Sequence, residues 1–139
     1  MSYDPIGALV TWLKTQATLT AQVSTRIWGG AVPRSEQTNM PRKCLTVLRA
    51  GGRGPERNIP DGVCLAYCRC YGATLAEANA VYNAFFETVH RKHHIRPATG
   101  QLLASLFIDN EPIDMIEPAT DWPFVQVNLE IRYGTDLTS

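Results

Sequence analysis

Four groups of residues in this chain carry side chains able to do chemistry. The first is a set of thiols, Cys64, Cys68 and Cys70, with Cys44 upstream. Structural zinc sites draw paired ligands about two to four residues apart from tight turns. Here Val63 to Tyr71 alternates as a strand, and a rise of about 3.3 Å per residue would put roughly 13 Å between positions 64 and 68. The spacing predicts free, buried, small side chains on one strand face.

The second group is His90 and His94, at i, i+4 spacing, within a basic and aromatic tip that includes Arg91, Lys92, His93 and Arg96. No Glu stands between the two histidines where a zinc-hydrolase helix needs one, and no third ligand is indicated. A solvated helix end whose cations oppose the helix dipole is the reading preferred. The third group is Asp109, Glu111, Asp114, Glu117 and Asp121, whose spacing matches no calcium loop. With Ile113, Met115 and Ile116 between them, they read as surface or inter-subunit groups on a twisted ribbon. The fourth, Gly51-Gly52-Arg53-Gly54, lacks the Gly-Lys-Ser/Thr ending of a phosphate loop and opens no helix. It reads as an arginine-bearing docking loop. The expectation is a chain without catalytic, cofactor or metal residues.

Charge is uneven along the sequence although it sums to zero. Arg34, Arg42, Lys43, Arg49, Arg53 and Arg57 face only Glu36 and Glu56, whereas Arg132 is the one base among the acids from Asp109 to Asp136. Zero net charge argues against a protein whose main task is to neutralise phosphates. A basic middle and an acidic end suit copies packed side by side in a ring, and suit equally two solvated surfaces of a monomer.

The elements that must position these groups follow from periodicity. At 139 residues and 45% hydrophobic content, one domain with a substantial core is expected, spanning 1–139, with mobile loops near 31–42 and 50–61. No apolar run is long enough to cross a bilayer and the start lacks a signal peptide, which predicts a protein made in a cytosol. Asp4-Pro5 opens a helix bearing Ile6, Leu9, Val10 and Leu13 on one stripe, and Leu19 to Val23 adds a further turn. Pro33 to Pro41 is expected as an extended loop and Lys43 to Arg49 as a strand. The Gly-rich stretch from Gly51 to Asn58 is expected as a mobile hairpin loop.

Strand Gly62 to Gly72 puts Cys64, Ala66, Cys68 and Cys70 on a small face, and Val63, Leu65, Tyr67, Arg69 and Tyr71 on a bulky one. Thr74-Leu75-Ala76-Glu77 is a capping box opening a helix to about His90, with Ala78, Val81, Tyr82, Phe85 and Val89 facing inward. Leu102 to Ile108, Ile113 to Ile116 and Val125 to Tyr133 are strands. The fold class expected is α+β, a mixed or mostly antiparallel sheet of four to five strands with two helices on one face.

In order and spacing, the segments Asp4-Pro5-Ile6, Ala8-Leu9-Val10, Trp12-Leu13, Arg26-Ile27-Trp28-Gly29-Gly30, Val32-Pro33, Met40-Pro41-Arg42, Tyr71-Gly72-Ala73-Thr74 and Glu77-Ala78 resemble phage tail-completion proteins related to tail terminators. The likeness runs from about residue 4 to residue 133. It implies a structural, non-enzymatic protein in the neck of a virion, assembled in a bacterial cytoplasm. Its partners would be copies of itself in a hexameric ring, the tail tube protein and the head connector, with DNA only as cargo in the lumen and no membrane.

On that reading the working surfaces are the Gly51 to Pro60 loop with Arg53 and Arg57, the segment Pro33, Arg34 and Arg42, and the acids Asp109, Glu111 and Asp114. Another neck component, a head-completion or connector protein, is the near alternative. A small metal-dependent enzyme using the histidines and carboxylates is the distant one.

Overall fold

The computed structural model describes residues 4–53, 62–98 and 100–135. Its elements are α1 (Pro5–Leu13), α2 (Ala17–Val23), β1 (Ile27–Gly29), a 3-10 helix (Arg34–Asn39), β2 (Cys44–Arg53), β3 (Gly62–Tyr71), α3 (Leu75–Val89), β4 (His93–Ile95), β5 (Gln101–Ile108), β6 (Ile113–Ile116) and β7 (Pro123–Thr135).

The first and third α-helices begin where their capping residues say they should, while α2 starts at Ala17, two residues before the expected Leu19, with no side-chain cap. Asp4 accepts the Ile6 N–H at 3.0 Å, with Pro5 in the first helical position where a missing N–H costs nothing. Thr74 accepts the Glu77 N–H at 3.2 Å, and the Glu77 carboxylate reaches back to the Ala73 N–H at 3.3 Å, one residue short of the usual capping-box donor. Gly72 makes this start possible, because a Cβ there would lie 2.5 Å from the backbone nitrogen of Ala78.

The strands form one sheet in the order β1-β2-β3-β7-β5-β4, with β6 also on β7. All pairings are antiparallel except β1 with β2. The long strand β7 holds the centre: β3 runs along one edge, while β5 and β6 share the other. The α+β class is as expected, with seven strands in place of four to five. The strands without a sequence signal are β1 and β4, of three residues each, too short to show alternation.

Two further expectations need correction. The Pro33 to Pro41 segment is not extended throughout, since Arg34–Asn39 winds as a 3-10 helix behind Pro33. The glycines at 51 and 52 belong to β2, which continues past a bulge near Arg49 and pairs to Arg53. A Cβ on Gly52 would lie 2.0 Å from the Val63 carbonyl oxygen, and its φ of +132° is one that L side chains rarely adopt, so glycine sustains the strand there. The remainder of the expected hairpin loop lies outside the described residues. As expected, α3 ends at about His90, its C-cap, so His90 and His94 do not share a helix.

All three α-helices cover one face of the sheet. Beneath them lie Leu45 and Val47 of β2, Cys64, Ala66, Cys68 and Cys70 of β3, Leu103, Leu106 and Ile108 of β5, and Val125 to Ile131 of β7 in alternation. Phe85, Val81 and Val89 of α3 fill the space above the small β3 residues, the large-over-small pairing that close packing favours.

Candidate interaction surface

The face of the sheet away from the helices is bare over much of its area. At one end it is closed by a small cluster in which Val32, Cys44, Tyr71 and Phe124 are buried with Trp28, Met40 and Trp122 packed around them. Tyr71 meets the Trp122 ring edge-on at 6.2 Å between centroids and Phe124 at 5.3 Å. Beyond this cluster, among the described residues, no element lies over the strands. Leu48 is 46%, Leu65 38%, Tyr67 40% and Phe107 42% exposed.

Register explains why these residues share that face. Leu48 stands opposite Tyr67, and Leu65 stands opposite Glu130, which itself pairs with Phe107. Between the two apolar zones, Arg69 donates from Nε to the Gln126 side chain at 3.1 Å and lies 4.9 Å from the centre of the Phe124 ring. A pocket of about 150 Å³ opens beside it, lined among others by Val32, Gln37, Thr46, Arg69, Glu117 and Trp122.

The acidic stretch emerges at the other side of β7. Asp109 donates its N–H to the Asn128 carbonyl at 3.0 Å and Asn110 accepts the Asn128 N–H at 2.7 Å, which anchors the turn from β5 into β6. A second turn closes with the Glu117 N–H on the Trp122 carbonyl at 2.9 Å and the Asp121 N–H on the Glu117 carbonyl at 2.8 Å. The arm between them lies outside the helix layer, so Ile113, Met115 and Ile116 are exposed on both faces of β6.

The structure brings together two of the three surfaces named from sequence. Pro33, Arg34 and Arg42 lie on the segment that supplies Val32 and Gln37 to the pocket, and the hairpin carrying Glu117 and Trp122 closes its opposite wall. Arg42 is ion-paired with Glu36. Asp109, Glu111 and Asp114 line the exposed arm. Arg53 is at the far end of the sheet, paired in register with Val63. From Tyr71 to Val63 that is roughly 26 Å along a strand, given about 3.3 Å per residue. Arg57 lies outside the described residues. Sequence reasoning found the bulky face of β3 but not its continuation into Leu48 and Phe107, nor the pocket; the signal was the pairing of β3 with β2 and β7, which no single strand carries.

Cys64, Cys68 and Cys70 occupy the expected buried face under the helices, while Cys44 is buried in the small cluster on the opposite face. Burial pushes the Cys44 thiol up to about 12, and burial likewise raises Cys64, Cys68 and Cys70. Protonated, packed thiols are poor nucleophiles and poor ligands. His90 is not a solvated tip: its ring stacks on Phe86 at 4.4 Å, meets Phe107 at 5.0 Å, and accepts the Ile108 N–H through Nδ1 at 3.3 Å. Its partners hold the helix end against the edge of β5. Among the described residues no three His, Cys, Asp or Glu side chains are placed to share a metal ion, and no helix is long and apolar enough to cross a membrane.

Comparison with solved structures gives a likeness over nearly the whole chain. A chain in the virion of a native gene transfer agent (GTA) particle superposes with a TM-score of 0.64 over 96% of this chain and 99% of that one, at 18% identity. The two share a fold. No family model matches the sequence, and no curated protein matches it.

Proposed function

We propose that this chain is a structural component of a phage-type virion, and specifically the ring that caps the tail tube and offers a surface to the head. The observation that carries the virion reading is the end-to-end likeness to a chain of the gene transfer agent particle, in which neither chain has a large unmatched part. The bare sheet face supports it, since exposed apolar area of this kind marks a surface that meets other proteins. The capping role comes from the resemblance of the Asp4-Pro5, Arg26 to Gly30 and Tyr71 to Glu77 segments to tail-completion proteins.

On this reading the protein acts by shape rather than by catalysis. One face of a closed ring complements the last ring of the tube, and the other face differs from it, so no further tube subunit can add. The partners are copies of the chain, tube protein and a connector, and the place is the neck of the particle.

Purified protein mixed with tail tubes and imaged tests the role directly. Rings at one tube end only are the expected result. Binding to portal or adaptor rings in place of tubes would assign the chain to another neck position, and binding to neither would refute the proposal.

A further inference from the structure

The end of α3 gathers the chain's histidines and a run of cations. From Thr88 to Ile108 the sequence has no Asp or Glu, while Arg91, Lys92, Arg96 and all three histidines fall between His90 and Arg96. Arg91, Lys92, His93 and His94 are exposed. Among the described residues neither the Arg91 nor the Lys92 side chain has an ion pair, and the carboxylates nearest in sequence, Glu87 and Asp109, pair with neither. A local cationic surface is compatible with zero net charge over the whole chain.

The backbone presents these side chains at a cost. Arg91 follows the C-cap His90 at a φ of +61°, a left-handed position that glycine usually fills, and His94 is at +56°. The turn is fixed by the Arg91 N–H on the Leu106 carbonyl at 3.0 Å and the Leu106 N–H on the Lys92 carbonyl at 2.8 Å. It leads into β4, the last strand in the sheet order, so among the described residues no strand lies beyond it. A cation kept where glycine would be easier points to a use for its charge.

Aromatic rings adjoin the cations. Phe86, His90 and Phe107 form a row, 4.4 and 5.0 Å between successive centroids, that passes from α3 to the edge of β5. Despite these contacts Phe86 and Phe107 remain 37% and 42% exposed. Unstacked bases can lie on such rings while their phosphates meet the neighbouring cations, whereas an acidic protein surface would use the cations alone.

We infer that this tip binds single-stranded nucleic acid, with Arg91 and Lys92 on phosphates and Phe86 and Phe107 against bases. Duplex fits less well, because its bases are already stacked on one another and offer the rings no face. Binding at this tip goes beyond the capping role and does not depend on it.

Fluorescence anisotropy of the full chain with labelled oligothymidylate at rising salt tests it, with a duplex of the same length and polyglutamate as comparisons. The wild type is expected to bind the single strand at low salt, about fivefold or more tighter than the duplex, and polyglutamate at equal charge is expected not to displace the strand. Arg91→Glu with Lys92→Glu should lose about tenfold or more and flatten the slope of log affinity against log salt by about 1.4, the share of two phosphates. Phe86→Leu with Phe107→Leu should lose about fivefold or more at every salt concentration and leave the slope unchanged. Circular dichroism melts check folding; should either pair unfold the chain, Lys92→Glu or Phe107→Leu alone is read in the same way, the former with about half the slope change. Absence of binding by the wild type, or wild-type affinity in either variant, overturns the inference. So does a duplex bound as tightly as the single strand, or displacement by polyglutamate, which would assign the tip to duplex or to an acidic protein instead.

Discussion

The two faces of β3 teach opposite lessons about hydrophobic pattern. On the face under α3 the residues are Cys64, Ala66, Cys68 and Cys70, small and buried; on the other they are Leu65, Tyr67 and Arg69, larger and accessible. Ranking by hydrophobic bulk alone would bury the wrong face. On this strand size decides, because Phe85 and Val81 of α3 supply the volume above the small side chains. The bulky face lacks any such cover among the described residues, which is what an association surface requires and a core does not.

Substitutions should separate the two faces cleanly. The largest effect is expected from Phe85→Ala, which empties the space over the thiols and should cost about 3–5 kcal/mol in urea unfolding. Next, alkali should loosen the core on both sides of the sheet, since Cys64, Cys68 and Cys70 lie under the helices and Cys44 in the cluster on the other face. The thiols are raised in the folded state, so above pH 9 the unfolded chain binds fewer protons and stability falls as pH climbs toward the folded value of about 12 for Cys44. The decline should be on the order of 1 kcal/mol per pH unit per thiol, absent below pH 8, and weakened in a Cys44→Ala variant. Gly52→Ala, at the far end of the same hairpin, should cost about 2 kcal/mol because its Cβ has no room and its φ is strained. Thr74→Ala removes a helix cap and should cost about 1 kcal/mol. The smallest change is expected on the bare face, where Tyr67→Ser should move stability by less than about 0.5 kcal/mol. A large loss there would mean that the face belongs to the fold and not to assembly.

Much of the frame was legible from residue order. The Asp4-Pro5 start, the Thr74 to Glu77 cap and the alternation from Val125 to Ile131 each rest on neighbours in sequence, and each is found where periodicity puts it. What escaped depends on pairing between distant segments. The three-residue strands β1 and β4 exist because β2 and β5 offer them an edge, and the glycines at 51 and 52 are strand because Val63 and Cys64 lie opposite. His90 is held by Phe86, Phe107 and the Ile108 amide, contacts that span different elements. The charge split was visible in sequence, but the union of Leu48, Leu65, Tyr67 and Phe107 into one face was not. Of the residues proposed for the working surfaces, the segment around Arg34 and the acidic arm meet at one pocket, and Arg53 stands apart from both.

The position of β7 has a consequence for synthesis. It comes last among the described elements yet sits in the middle of the sheet, with β3 on one side and β5 and β6 on the other. A nascent chain that stops short of Pro123 therefore owns two half-sheets with open edges and no means of joining them, the condition in which strands pair with strangers. Completion of one strand closes both edges at once and creates the bare face in the same event. A chain with this order of strands has one continuous sheet only once its last described strand is in place, so any contact that needs the whole face waits for the end of folding.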